Sequence, residues 1–221
     1  MKLETTHVPI SIDVGAVRSE NVARFTYLGS TVACDGDAEI DVHTRTAKAA
    51  AGFRKLQPIW ATTSISNNIK MRLYLSIVIP TAIYASETWK MSARIIKRTN
   101  GFHQSCLRRI MRIHYVDRVT NEEVLRHCGT TSLHVAIAQR RPRLAGHILR
   151  IPQHRIPRGS MSWIHPASKR PKGLPRNIWR RTFANDLKLM NISREQGKAL
   201  AQDRQQWREF VARCAQQHRR N

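Results

Sequence analysis

The sequence is poor in negative charge. Its 221 residues include 15 Asp and Glu against 38 Lys and Arg, which gives a formal net charge of +23 at pH 7. A compact fold with this much charge of one sign repels itself unless counter-charge lies nearby. The composition therefore predicts a polyanionic partner.

Long apolar runs and cysteines are also scarce, and each scarcity excludes a class of protein. The longest apolar run, from Leu73 to Tyr84, is broken by Ser76, Pro80 and Thr81 and is too short to cross a bilayer. The first residues lack the apolar segment of a secretory signal. Four cysteines without a framework spacing favour a reducing, intracellular compartment over a disulfide-bonded secreted domain.

No independent active site is visible in the sequence. It contains no adjacent pair of aspartates, no Gly-rich phosphate loop, no serine nucleophile elbow and no H-E-x-x-H motif. Asp186 and Asp203 lie on separate predicted helices among cations, and we interpret both as ion-pair partners. We expect a chain that is not an enzyme alone and that uses no cofactor, no small-molecule substrate and no membrane.

The positive charge lies in the second part of the chain. Residues 1–89 hold 9 Lys and Arg and 8 Asp and Glu, a net charge of +1, whereas residues 90–221 hold 29 and 7, a net charge of +22. Clustered cations favour contact with phosphate backbones because each neutralised phosphate releases condensed counterions. We expect residues 90–221 to bind RNA, DNA or an RNA–DNA hybrid, with steep salt dependence and little sequence preference.

The cations expected to contact phosphate fall into four groups along the chain. They are Arg108 and Arg109; Arg140, Arg141 and Arg143; Lys169, Arg170, Lys172 and Arg176; and Arg180 and Arg181. Trp163 or Trp179 could stack on a base. The alternative is a solvated basic face with two tryptophans that belong to the core.

Periodicity and turn signals predict a mainly α fold behind a small N-terminal β-hairpin. Alternating residues over 7–33 predict two short strands. Asp35 or Asp37 would cap the first helix. The helices are expected at about 38–57, from Ser64 or Ser66 with a kink or end at Pro80, at about 92–113, from Thr120 to Gly129, from Ser132 toward Leu149 with an interruption at Pro142, after Pro175, and from Ser193 onward as one final helix.

A zinc site is an open alternative in the basic region. His103 and Cys106 have H-x-x-C spacing, and His127 and Cys128 are adjacent. Structural zinc sites usually have two closely spaced ligand pairs, and the second pair here has no spacing. The alternative is that these side chains are packed in the core, with their hydrogen bonds made to other protein groups.

Eight short motifs occur in an order that resembles a known family. They are FTYLGS at 25–30, ISNNIKMRLY at 65–74, IYASETW at 83–89, FHQSCLRRIMRI at 102–113, TNEEVL at 120–125, RRPRLAGH at 140–147, KGLPRNIWRR at 172–181 and AQDRQQW at 201–207. Together they resemble the C-terminal part of reverse transcriptases from non-LTR, LINE-type retrotransposons of the RTE-like group. The resemblance covers nearly the whole chain.

The resemblance implies a fragment of an RNA-directed DNA polymerase. The palm of such a polymerase carries three carboxylates that hold two metal ions, and those motifs are missing here. By resemblance, Phe25, Tyr27, Leu28 and Gly29 would form a primer-grip-like hairpin that positions the end of the growing strand. The chain is then expected to bind nucleic acid in the nucleus, with a full-length element protein as a possible partner. The alternative is a decayed transposon remnant without a selected function or a stable fold.

The resemblance also implies how the chain is divided. Residues 1–36 would be the end of the palm with its hairpin, residues 37–89 thumb-like helices, and residues 90–150 a basic helical region. Residues 151–176 would be an extended basic connector and residues 177–221 the C-terminal helices.

Overall fold

The computed structural model describes residues 13–15, 17–18, 20, 22–33, 38–161 and 179–220. Trp163, the four connector cations (Lys169, Arg170, Lys172 and Arg176) and the expected caps Asp35 and Asp37 lie outside the described residues. The prediction of a mainly α fold with an N-terminal hairpin is confirmed.

The elements follow one another as two hairpins and then a series of helices. The strands are β1 (Asp13–Val14), β2 (Val17–Arg18), β3 (Arg24–Tyr27) and β4 (Ser30–Ala33). The α-helices are α1 (Glu39–Lys55), α2 (Gln57–Ala61), α3 (Asn67–Leu73), α4 (Ile79–Ala82), α5 (Ala93–Met111), α6 (Asn121–His127), α7 (Leu133–Arg150), α8 (Ile156–Ser160), α9 (Trp179–Leu189), α10 (Arg194–Leu200) and α11 (Arg204–Arg220). A π-helical turn (Tyr74–Val78) joins α3 to α4 just before Pro80, and 3₁₀ turns lie at Ser86–Thr88 and Tyr115–Asp117.

The β3–β4 hairpin turns at Leu28 and Gly29. Its register pairs Arg24 with Ala33 and Tyr27 with Ser30. Both turn residues have positive φ, 48° for Leu28 and 77° for Gly29. A two-residue loop with this backbone matches the twist of the flanking strands, which explains why Gly occupies its second position.

Asp41 attaches this hairpin to the helices behind it. Its buried carboxylate accepts hydrogen bonds from the Thr31 backbone N–H at 2.9 Å and from the Trp89 indole N–H at 2.9 Å. Arg45, one turn further along α1, donates to Ser30 Oγ at 3.2 Å and lies 4.2 Å from the ring centre of Tyr84. The hairpin, α1 and the segment before α5 therefore meet at one carboxylate.

The capping signals at Ser66, Thr120 and Ser193 are confirmed, whereas the N-cap of α1 is Ala38, which has no capping side chain. Ser66 and Ser92 each accept a hydrogen bond from the backbone N–H three residues ahead. Thr120 and Glu123 form the predicted reciprocal capping box, and Ser193 caps α10. Gly129 follows α6 with a φ of +57°, as expected for a helix stop.

Three expectations about helix continuity are wrong. Pro142 does not interrupt α7, which continues because its buried face packs on α9 and α11 and outweighs the missing backbone hydrogen bond. The final helix is divided, because Asp203 Oδ1 accepts from the N–H groups of Gln205 at 2.7 Å and Gln206 at 3.1 Å and starts α11 anew. Asp203 is thus a cap rather than an ion-pair partner. The described part of the connector includes α8 and is not wholly extended.

Buried apolar side chains form two clusters, and α7 contributes to both. The larger cluster joins α1 to α6 with the first half of α7, through Leu133 and Ile137. The smaller cluster joins the second half of α7, through Ala145 and Leu149, to α9, α10 and α11. Within the described ranges, no helix is both long and apolar enough to cross a membrane.

The second cluster depends on a close crossing of α7 and α11 at Gly146. A Cβ atom at Gly146 would lie 2.0 Å from Nε1 of Trp207, whose side chain is buried. The same indole N–H donates to the carbonyl of Pro142 at 2.9 Å. The absence of a side chain at position 146 lets the indole lie flat against α7.

Gly146→Ala should therefore destabilise the protein by about 1–3 kcal/mol or more, because the methyl group forces Trp207 away from α7. The matched control is Gly101→Ala in α5, where the added Cβ meets nothing within 4 Å. That change should be neutral or stabilising by up to about 1 kcal/mol, since Ala favours the helix. Urea unfolding of both variants measures the difference, and equal stabilities would contradict this account of the crossing.

Candidate nucleic-acid interface

Helix α7 divides its arginines between the interior and the surface. Arg141 is 1% exposed and forms a bidentate pair with Asp186, with Nε–Oδ2 at 2.6 Å and Nη2–Oδ1 at 2.7 Å. A phosphate cannot reach it there, so the prediction that Arg141 binds nucleic acid is wrong. The expected ion-pair role of Asp186 is confirmed. Arg143 lies on the opposite side of the helix and is exposed.

Two other predicted cations are engaged in contacts within the protein. The half-buried Arg140 donates to the carbonyl of Ile83 at 3.0 Å and lies 3.5 Å from the carboxylate of Glu87. Arg108 donates to the carbonyl of Val119 at 2.8 Å and to Asn121 Oδ1 at 3.0 Å. Both side chains connect separate segments of the fold.

The remaining predicted cations of the described chain lie at two further places. Arg109 is exposed on α5, one turn after the buried Cys106 and next to the buried Ile110. Arg180 and Arg181 lie in the first turn of α9, where Arg180 is half-buried and Arg181 exposed. Trp179, beside them, stacks on Phe183 with ring centres 5.9 Å apart and packs against the second core. These contacts fit the alternative in which Trp179 belongs to the core and does not stack on a base.

A basic cleft lies between α7 and α11 and has a volume of about 530 Å³. Arg143, His147 and Arg150 line it from α7, and Arg204 and Arg208 line it from α11. The rest of the lining is Gln139, Trp207, Val211 and Ala212. None of the described residues that line it is Asp or Glu.

The cleft is suited to phosphate. Four guanidinium groups surround it, and each offers a planar set of donors that matches the oxygens of a phosphate group. Its low-polarity floor, formed by Trp207 and Val211, limits the screening of these charges. Arg150 is oriented by a hydrogen bond from its Nη1 to the carbonyl of Ala201 at 3.0 Å. Guanidinium donors can contact phosphate oxygens without reading base edges.

Sequence reasoning found one of these cations and missed the others. Arg143, His147 and Arg150 are four and three residues apart, and Arg204 and Arg208 are four apart, so each set occupies one face of its helix. Counting cations by helical face would have selected them. The pairing of the two faces depends on the α7–α11 crossing, which no local pattern reveals.

The residues of the zinc alternative are not brought together in the described part of the chain. His103 is buried, its Nε2 donates to the carbonyl of Thr131 at 3.2 Å, and its Nδ1 accepts from the Tyr74 hydroxyl at 2.8 Å. No lone pair of the ring is left for a metal. Burial also raises the pKa of the Cys106 thiol to about 12, which disfavours the thiolate that zinc requires.

A different set of potential ligands does meet in the second core. Donor atoms of Asp186, Cys214 and His218 lie within 4.8 Å of one another. Arg141 already occupies both carboxylate oxygens of Asp186, and His218 Nε2 lies 3.0 Å from Oδ1. The carboxylate is thus satisfied by protein donors, and we interpret the set as part of the core.

The hairpin that resembles a primer grip displays its apolar side chains. Phe25, Tyr27 and Leu28 are 58%, 61% and 72% exposed. Gly29 packs against the Arg45 guanidinium, where a Cβ atom would lie 3.3 Å from Nη2. The geometry leaves the β3 face open, and the primer-grip role stays a prediction.

Comparison with protein-family models, with curated proteins and with solved structures gives no match. The resemblance to reverse transcriptases therefore rests on the eight motifs alone. The case for nucleic-acid binding rests on the charge distribution and on the cleft.

Removing the carboxylate of Asp186 should be strongly destabilising, because Arg141 would remain buried without a counter-charge. We expect Asp186→Ala to lower the free energy of unfolding by about 3–5 kcal/mol. Arg94→Ala, which removes an exposed pair at 3.0 Å from Glu39, is the control and should change it by less than about 1 kcal/mol. The double variant Arg141→Met/Asp186→Leu should regain most of the lost stability. Similar free energies of unfolding for Asp186→Ala and Arg94→Ala would contradict the structural role of the buried pair.

His103 should make the protein less stable in acid. Burial lowers its pKa from 6.5 to about 4, so between these values the unfolded chain binds a proton that the folded protein excludes. The stability of the folded protein is therefore unaffected by this histidine above pH 6.5. It decreases as the pH falls toward 4, by at most about 1.4 kcal/mol per pH unit.

The test is the free energy of unfolding in urea at neutral and at mildly acidic pH. The parent should lose more stability on acidification than His103→Gln, whose side chain stays neutral throughout. Burial also lowers the pKa of the half-buried His134. His134→Gln therefore serves as the reference for the pH effect of a histidine that is only partly buried. Parallel pH profiles for the parent and His103→Gln would refute the role of His103.

Proposed function

We propose that this chain is the nucleic-acid-binding C-terminal part of a LINE-type reverse transcriptase, without the carboxylates that such an enzyme needs for catalysis. The phosphate backbone of RNA, DNA or their hybrid binds in the cleft between α7 and α11. The observation that carries this proposal is the set of four arginines and one histidine around a single cleft, with no acidic residue among the described residues that line it.

The cleft makes several phosphate contacts along one strand. Arg143 and Arg150 are seven residues apart on α7, which places them about 10 Å apart along the helix axis. Guanidinium groups at this separation contact more than one phosphate, and those of α11 close the other side. Because backbone contacts carry no sequence information, binding tolerates any sequence.

The same proposal assigns a partner and a place in the cell. Copying RNA into DNA at a chromosomal site takes place in the nucleus, and the carboxylates for it would come from a full-length element protein. The exposed apolar face of the β3–β4 hairpin, with Phe25, Tyr27 and Leu28, supports contact with the palm of such a protein. The proposal makes the chain an accessory strand binder rather than a polymerase.

The first test measures affinity by fluorescence anisotropy with labelled single strands of RNA and DNA and with a hybrid duplex, over a series of salt concentrations. The logarithm of the binding constant should fall linearly with the logarithm of salt concentration. Arg204→Ala/Arg208→Ala should reduce this slope by about 1.4 on single strands, since each lost phosphate contact removes about 0.7.

The matched control is Arg213→Ala/Arg219→Ala, which removes the same charge from the same helix outside the cleft. Its slope should stay closer to that of the parent, and circular dichroism checks that all chains are folded. Equal losses for the two double variants would mean that overall charge, and not the cleft, binds the strand. Affinity independent of salt would overturn the proposal altogether.

A further inference from the structure

The 3₁₀ turn between α5 and α6 presents an aromatic ring to solvent. Tyr115 is 98% exposed and its neighbour Val116 is 80% exposed. Tyrosine usually buries most of its ring, so a fully displayed one needs a reason. The cleft does not use this residue.

The turn is held firmly in place. Its first N–H, from His114, donates to the Asp117 carboxylate at 2.6 Å. Arg108 of α5 donates to the carbonyl of Val119 at 2.8 Å, and Gln104 Nε2 donates to the carbonyl of Asn121 at 3.2 Å. The ring is therefore displayed by an anchored segment rather than by a loose loop.

Strained arginines bracket the turn. Arg112 before it and Arg118 after it have φ values of 57° and 49°, a left-handed backbone that Gly adopts without strain and Arg does not. The Arg112 guanidinium donates to the carbonyl of Ala61, and Arg118 is exposed. Each of the two residues ends a helical segment, as left-handed residues commonly do, so the two caps fix where the turn begins and ends.

The charged residues just before and after Tyr115 in the chain are mainly positive. Arg109, Arg112 and Arg118 are all exposed on the α5 end and on the turn. The acidic group of the turn itself is Asp117, and its carboxylate is engaged by the His114 N–H. An aromatic ring among cations matches a nucleobase next to its phosphates.

We propose that Tyr115 is a stacking platform for an unpaired base of single-stranded RNA or DNA, with Arg109 and Arg118 contacting the adjacent phosphates. This inference rests on the proposed function and adds a second contact point to it. A protein partner is the less favoured occupant, because Tyr115 and Val116 alone offer far less apolar surface than a stable protein interface requires. A neutral ring that stacks on any base also preserves sequence tolerance.

The experiment compares Tyr115→Ala with Tyr115→Phe in the full chain. The probes are an unstructured RNA strand, a DNA strand of the same sequence and a blunt duplex of equal length. Tyr115→Ala should weaken single-strand binding by roughly 5- to 150-fold, the effect of losing one stacked base. Tyr115→Phe should bind as the parent does, and duplex binding should not change. The two single strands show whether the platform prefers RNA or DNA.

Salt dependence separates stacking from charge. Because the tyrosine ring is neutral, Tyr115→Ala should leave the salt slope unchanged. Arg118→Gly should lower the slope by about 0.7 while thermal stability stays equal or rises, since Gly relieves the positive φ. A merely structural role for this arginine predicts no change in affinity.

The outcomes distinguish this inference from the proposed function. If Tyr115→Ala binds single strands as the parent does while the cleft double variant is weakened, the platform is refuted and the cleft stands. Equal weakening of single strands and duplex by Tyr115→Ala also refutes stacking. A full chain that binds none of the probes refutes both.

Discussion

The C-terminal part of the protein depends on one buried ion pair. Asp186 of α9 is held by Nε and Nη2 of Arg141 from α7, and His218 of α11 donates to the same carboxylate at 3.0 Å. A buried charge without its partner is far less stable than the pair. The pair therefore fixes the rotation of α7 about its own axis, and with it which side chains of α7 face solvent.

That rotation explains how one arginine run serves two purposes. Arg141 and Arg143 are two residues apart, so in a helix they point to nearly opposite sides. Once Arg141 is buried, Arg143 and His147 must face outward, and the close crossing at Gly146 brings the exposed cations of α11 next to them. The cluster repels itself in the free protein, and under the proposed function a phosphate backbone would supply the missing negative charge.

Local chemistry made much of the fold predictable from sequence, and tertiary contacts account for the rest. The caps at Ser66, predicted with Ser64 as the alternative, Thr120 and Ser193 were found because a cap needs only a side-chain oxygen a few residues before a helical pattern. The continuity of α7 through Pro142 could not be found, because it depends on packing against helices distant in sequence.

The candidate site was likewise only partly predictable from the sequence. The asymmetry of charge assigned the proposed binding region to residues 90–221, but charge alone does not distinguish Arg141 from Arg143. Only the position of Asp186 in space makes the first structural and leaves the second exposed. The cations of α11 were missed because the basic stretch upstream of them has a greater density of Lys and Arg. Asp203 was likewise predicted to be an ion-pair partner, although it caps α11, because that role depends on where α11 begins.

Arginine footprinting of the full chain tests the central claim most directly. The protein is treated with an arginine-selective reagent with and without a bound single strand, and modification at each residue is quantified by mass spectrometry. The account predicts that the strand protects Arg143, Arg204 and Arg208, while Arg213 stays reactive and Arg141 is unreactive in both conditions. Protection of Arg213 with continued reactivity of the cleft arginines would contradict it.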